Sequence, residues 1–150
     1  METLFSISSL LVMTFRFLLI FLPHWRWTKR IVGSPLITAP ASLLYLILVI
    51  PVVGQVFPAV GNPTLAGFVT LLGEPTGATI AWVHFLAFDL FVARWAYVDN
   101  WETGISAWLM APILFFTLML GPVGFLLYLG AKTIKQRGKV QTAVSSLQSS

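Results

Sequence analysis

The chain has 150 residues, 57% of them hydrophobic and only 9% charged, with a mean hydropathy of +0.88. A soluble domain carries about 25% charged residues, so the composition points to an integral membrane protein and leaves no room for a separate soluble domain. With no cysteine, disulfides, thiolate catalysis, iron–sulfur clusters and zinc–thiolate sites are excluded, while the net charge of +4, gathered mostly in a short tail, suits an anionic membrane surface and not nucleic acid.

The first apolar run extends from Leu4 to Leu22 and stops at Pro23. Glu2 and no basic residue precede it, the run is long, and no small-residue cleavage site follows, so it reads as a retained span and not a signal peptide. Arg16 lies inside it. The next segment, P-H-W-R-W-T-K-R, gathers His24, Arg26, Lys29 and Arg30 around Trp25 and Trp27. Aromatic and basic side chains together suit the headgroup layer, and anion binding is the second reading of the same residues.

Ser34-Pro35 and Pro40 are suitable helix starts, because proline tolerates the first turn. Apolar sequence continues to Phe57, giving a second span at 35–57 with a kink expected near Pro51 and Gly54. Gln55 to Gly77 is rich in glycine and proline. Within it Leu65–Leu72 is apolar but far short of the ~20 residues a span requires, so a short interfacial or re-entrant helix is expected there.

Thr76 can cap a third span at 78–98. After a polar turn from Trp101 to Gly104, a fourth span at 106–129 is expected, bent at Pro112 and at Gly121-Pro122. Gly130 is a natural helix stop. Residues 132–150 form a basic and then Ser/Gln-rich tail, expected to be disordered beyond about Arg137. The expected fold is thus all-α: an integral membrane bundle of four transmembrane helices over residues 1–131. Four spans place both termini on one face, with four Lys and Arg on that side and three on the other, a slight excess for cytoplasmic termini.

The third span holds the chemistry. Residues Trp82 to Asp99 carry His84, Asp89 and Arg94 in an otherwise apolar stretch, and a charge near the centre of a spanning helix costs about 2.5–3.5 kcal/mol on insertion scales. At 3.6 residues per turn, Asp89 and Arg94 point about 140° and 280° away from His84, so the helix must be enclosed by protein on several sides. The first and third spans run in one direction, which puts Arg16 and Asp89 at similar depth and makes an Arg16–Asp89 pair the economical arrangement, with Arg94 as a second partner. Two readings of that pair stay open: a clamp between helices, or a proton-handling site. His84 is either a proton carrier or ligand, or a buried histidine bonded to a neighbouring helix. A metal or haem is not expected, because His24 and His84 are the only histidines and lie at different depths. Neither a glycine-rich phosphate loop nor a nucleophile elbow is present. Trp82, Phe85, Phe88, Phe91, Trp95, Phe115 and Phe116 offer a lining for a long, flat, apolar ligand, or ordinary packing and interfacial belts.

The pattern W-x-H-F-x-x-x-D-L-F-x-x-R, here Trp82, His84, Phe85, Asp89, Leu90, Phe91 and Arg94, resembles the ABA4-like family. The early F-L-P-H-W and the late G-P-x-G, here Gly121, Pro122 and Gly124, extend the resemblance over roughly residues 1–131. Plant members are plastid membrane proteins required to make neoxanthin from violaxanthin. No plastid transit peptide precedes the first span, and the length resembles that of bacterial, especially cyanobacterial, members, which implies the thylakoid or plasma membrane of a bacterium. The resemblance implies a carotenoid or xanthophyll as ligand and an epoxide-to-allene isomerisation. That reaction is redox-neutral and needs an acid at the epoxide oxygen and a base at the chain, without a metal or nicotinamide cofactor. Asp89 and His84 would supply those roles, with Arg16 or Arg94 stabilising charge on oxygen. The alternative expectation is a non-catalytic pigment-binding or assembly factor, working as a homo-oligomer or in a pigment–protein complex.

Overall fold

The computed structural model describes residues 2–21 and 26–148, apart from the side chains of residues 11, 16, 142–144 and 146–148. All regular structure among them is helical, in chain order α1 (Glu2–Phe21), α2 (Arg26–Gly33), α3 (Ala39–Val49), α4 (Val53–Gly61), α5 (Leu65–Gly73), α6 (Pro75–Thr103), α7 (Ala107–Leu120) and α8 (Pro122–Gln148). Short 3-10 turns at Pro35–Thr38 and Ile50–Val52 lead into α3 and α4.

Every helix but α4 packs on α6. In its most apolar stretch 44% is buried, against 19% and 17% in the other two long apolar helices. The helix begins at Pro75, whose fixed φ suits the first turn, after an extended Glu74; the expected cap Thr76 lies inside it. At its other end Asn100 accepts the Ile105 N–H at 2.8 Å and donates to the Ile105 carbonyl at 3.0 Å, pinning the turn into α7.

α1 runs parallel to α6. Leu4 packs on the cluster of Ile80 and Val83, Trp82 Nε1 donates to Ser9 Oγ at 2.9 Å, Val12 clusters with Leu86 and Ala87, and Leu19 with Leu90 and Ala93. α3 runs the opposite way, with Ala41 beside Leu86 and Ala87 and Leu48 beside Ile80 and Val83. The short α2 lies at the Thr103 end of α6, where Gly33 meets the Trp101 ring. α5 is the short apolar helix expected at 65–72, and it meets the start of α6.

Among the described residues three stretches are long and apolar enough to cross a bilayer: Glu2–Phe21, Pro35–Gly61 and Pro75–Thr103. The second breaks into a 3-10 turn at Pro51, close to the expected kink. The expected fourth span at 106–129 is not one helix, and this corrects the sequence reading. α7 has only 14 residues, and at Gly121, with φ +27° and ψ −84°, the chain reverses. Gly124 then packs so tightly on the Thr117 backbone that a Cβ there would overlap it, a contact only a hairpin permits. The positive φ of Gly121 makes the reversal, and Pro122, lacking an N–H, cannot continue the preceding helix. Pro112, by contrast, sits within α7 without ending it.

From the hairpin α8 runs alongside the second half of α6 in the same direction. Gly121 is beside Asp89, Phe125 and Tyr128 lie on Trp95 at 5.6 and 5.7 Å between ring centroids, and Lys132 binds Asp99. Lys139 Nζ donates to the carbonyls of Glu102 and Thr103 at 3.3 and 3.1 Å. α8 stays helical to Gln148, past the point near Arg137 where disorder was expected. Its Ala, Leu, Lys, Gln and Arg residues are good helix formers, and Gly138 is the one glycine after Gly130.

Candidate functional site

The three polar side chains of the motif on α6, His84, Asp89 and Arg94, point three ways and meet different neighbours. Arg94 Nη2 donates to the Gly33 carbonyl at 2.6 Å and Nε to the Ser34 carbonyl at 3.1 Å. These carbonyls end α2, where a cation complements the helix dipole and the last acceptors need donors. His84 stacks on Phe88, one turn along, at 4.7 Å and faces Tyr45 of α3 at 5.3 Å. Asp89 turns to the α7–α8 tip, and a Cβ on Gly121 would overlap its Oδ1. His84 and Arg94 thus stand about 140° around the helix from Asp89, on either side, and do not converge on it.

Asp89 is half-buried in a groove of about 330 Å³. One wall is the α6 face of Trp82, Phe85 and Leu86; the other is Leu118–Leu120 of α7 with Gly121 and Pro122. Positions 82, 85, 86 and 89 share one helical face, so the aromatic wall and the carboxylate come from a single stripe. Trp82 is held by its bond to Ser9 and by stacking on Phe5 at 5.3 Å. The other wall exists because the chain reverses at Gly121. The carboxylate lies at the N-terminal end of α8, where the helix dipole favours negative charge. Among the described residues that line the groove Asp89 is the charged one, and a carboxyl group so placed can exchange a proton with a bound molecule.

Of the aromatic candidates, Trp82 and Phe85 line this groove. Phe88 and Phe91 are exposed on the outer surface of α6, at 58% and 51%. Trp95 packs on Phe125 and Tyr128 with Lys132 Nζ 5.8 Å from its ring, and Phe115 lies edge-on to Phe116 at 5.6 Å. The Arg16 side chain and His24 lie outside the described residues, and so does the expected Arg16–Asp89 pair. Among the described residues no three His, Asp or Glu side chains come together.

Two features were not foreseen. The α7 wall of the groove follows from the hairpin, which the Gly121-Pro122 pair announced only as an interruption. The second is a polar cluster around Asp99, which accepts from Tyr128 Oη at 2.5 Å and pairs with Lys132 Nζ at 2.7 Å. These partners are 29 and 33 residues away, and only the reversal brings them there.

The family model described as "ABA4-like: ABA DEFICIENT 4-like" matches residues 3–128 of the chain. Neither a curated protein nor a solved structure matches it.

Proposed function

The chain belongs to the ABA4-like family, and on that premise we propose that it is a multi-pass membrane protein that takes up a carotenoid-like pigment and isomerises it at Asp89. The observation that carries this reading is the groove itself: a carboxyl group halfway along α6, on the same helical stripe as Trp82 and Phe85 and facing the hairpin tip across an apolar cleft. A flat polyene end can slide between Trp82 and Phe85 on one side and the hairpin tip on the other.

One carboxyl group is enough for an epoxide-to-allene conversion. Protonated Asp89 gives its proton to the epoxide oxygen, and the carbon–oxygen bond on the chain side breaks. The positive charge left on carbon is shared along the polyene. The Asp89 carboxylate then removes the proton from the adjacent chain carbon, and that electron pair forms the second double bond of the allene. The oxygen stays on its ring carbon as a hydroxyl, Asp89 regains its proton, and no redox partner is consumed. In this reading His84 and Arg94, which the sequence offered for proton transfer and charge stabilisation, hold α3 and α2 against α6.

The second reading, a pigment-binding factor without turnover, is favoured by the exposed row of Phe85, Phe88 and Phe91, which extends beyond the groove. Purified protein in detergent, given an epoxy-xanthophyll, separates the two. The expected result is conversion to an allenic isomer by the wild type, with Asp89→Asn retaining pigment but converting it at least ~100-fold more slowly. Pigment retention with no conversion by the wild type establishes the second reading instead.

A further inference from the structure

We infer that α7 and α8 enter and leave the bilayer through the same face, and that this face is a cationic platform for anionic lipid headgroups. The inference rests on the membrane placement proposed above and not on the pigment chemistry. α1, the Pro35–Gly61 stretch and α6 supply three crossings, so α6 ends on the face opposite the start of α1. α7 has 14 residues, about 21 Å of helix, against a hydrocarbon core of about 30 Å. Its tip reaches Asp89, the midpoint of Pro75–Thr103, and α8 returns past Asp99 to Thr103. A reversed backbone at that depth is tolerated where protein covers it, and Gly121 is buried.

The hairpin redistributes the charge. Of the nine Lys and Arg, Arg16 lies within α1 and Arg94 within α6. The other seven, Arg26, Lys29 and Arg30 on α2 with Lys132, Lys135, Arg137 and Lys139 on α8, all stand at the Thr103 end of α6. At the opposite end the charged residues are Glu2 and Glu74. A chain with four full spans would split these cations four to three; the half-depth hairpin puts all seven on one side.

The partner is lipid because the cations are interleaved with tryptophan. Trp27, Trp101 and Trp108 are exposed at 58%, 53% and 92% at this same end, and indole rings beside Lys and Arg mark the headgroup layer. α2 has the form of an interfacial helix, with Thr28 and Val32 buried and Arg26, Lys29 and Arg30 facing out. A cationic face of this strength belongs on the cytoplasmic side, next to the anionic leaflet.

The chain has no native cysteine, so single replacements report cleanly. In sealed membranes a non-permeant thiol reagent should reach Glu2→Cys and Glu74→Cys from one side and Ser106→Cys and Gln136→Cys from the other. Labelling of residues 2 and 136 from the same side overturns the half-depth hairpin. For the headgroup platform, the full chain is reconstituted in mixed phosphatidylglycerol and phosphatidylcholine, extracted in mild detergent, and its retained lipid weighed by mass spectrometry. The wild type should retain phosphatidylglycerol several-fold over phosphatidylcholine. The combined Arg26→Gln, Lys29→Gln, Arg30→Gln, Lys135→Gln and Arg137→Gln variant, which leaves Lys132 and Lys139 on their partners, should lose that preference. Equal retention of the two lipids by the wild type, or an unchanged preference in the variant, overturns the lipid assignment and leaves an acidic protein as the partner of this face.

Discussion

Gly121 packs its Cα against the carboxylate of Asp89, so closely that a methyl group added there would overlap Oδ1 and lie 3.4 Å from Cγ. The contact joins the midpoint of α6 to the tip of the α7–α8 hairpin. The turn and the groove are therefore one unit: whatever moves the tip moves the second wall of the groove.

Gly121→Ala tests that unit directly. Alanine at φ +27° costs about 1–2 kcal/mol in backbone strain alone, and the overlap with Asp89 adds to it. The expected loss is about 2–4 kcal/mol of stability, read by thermal unfolding in detergent, together with loss of the proposed pigment binding, read by absorbance. A wild-type melting temperature in this variant would sink the hairpin geometry.

Arg94→Gln should be read first in stability. It strips the Gly33 and Ser34 carbonyls of two charged hydrogen bonds at the end of α2, worth about 1.5–3 kcal/mol together. The expected outcome is a lower melting temperature and faster proteolysis of the α2 segment. Lost turnover at an unchanged melting temperature would restore to Arg94 the charge-stabilising role suggested by its place in the motif.

Trp82→Phe keeps a ring for stacking on Phe5 but removes the N–H that Ser9 accepts. Its expected cost is about 1 kcal/mol. Ser9→Ala should cost about the same, and the double variant little more, because one bond cannot be lost twice. Additive costs would mean the two side chains act independently.

The Asp99 cluster should behave as a partly buried ion pair with a tyrosine brace. Lys132 and Asp99 are 25% and 22% exposed, so solvent screens the pair, and Lys132→Met should cost about 1–2 kcal/mol, less than a fully buried pair would. Tyr128→Phe removes the bond to Asp99 from a fully buried ring and should cost a similar amount. Combining Asp99→Leu with Lys132→Met should recover part of the loss, because neither charge is then left alone. Chemical unfolding of the wild type, Asp99→Leu, Lys132→Met and the double variant measures this, and a double variant less stable than either single one contradicts it.

Much of this protein was legible in the order of its residues. Low charge and long apolar runs fix a helical class, because a chain with so few charges must satisfy its backbone internally. The spacing of His84, Asp89 and Arg94 required partners on three sides of one helix, and α3, the hairpin tip and the end of α2 are those partners. Pro51 announced its kink. These are local signals: propensity, periodicity and the geometry of a single helix.

The direction of the chain after Leu120 was decided by tertiary structure. A Gly-Pro pair states that a helix is interrupted, but a modest bend and a full reversal have the same local sequence. What selects the reversal lies far along the chain: the fit of Gly124 on Thr117, the Tyr128 and Lys132 contacts with Asp99, and the Lys139 bonds to the end of α6. Each joins residues on different helices, and their sum depends on packing that no window of sequence contains. The groove inherits this dependence, since one of its walls is a helical stripe and the other exists only where α8 finds α6 a better neighbour than a fourth crossing.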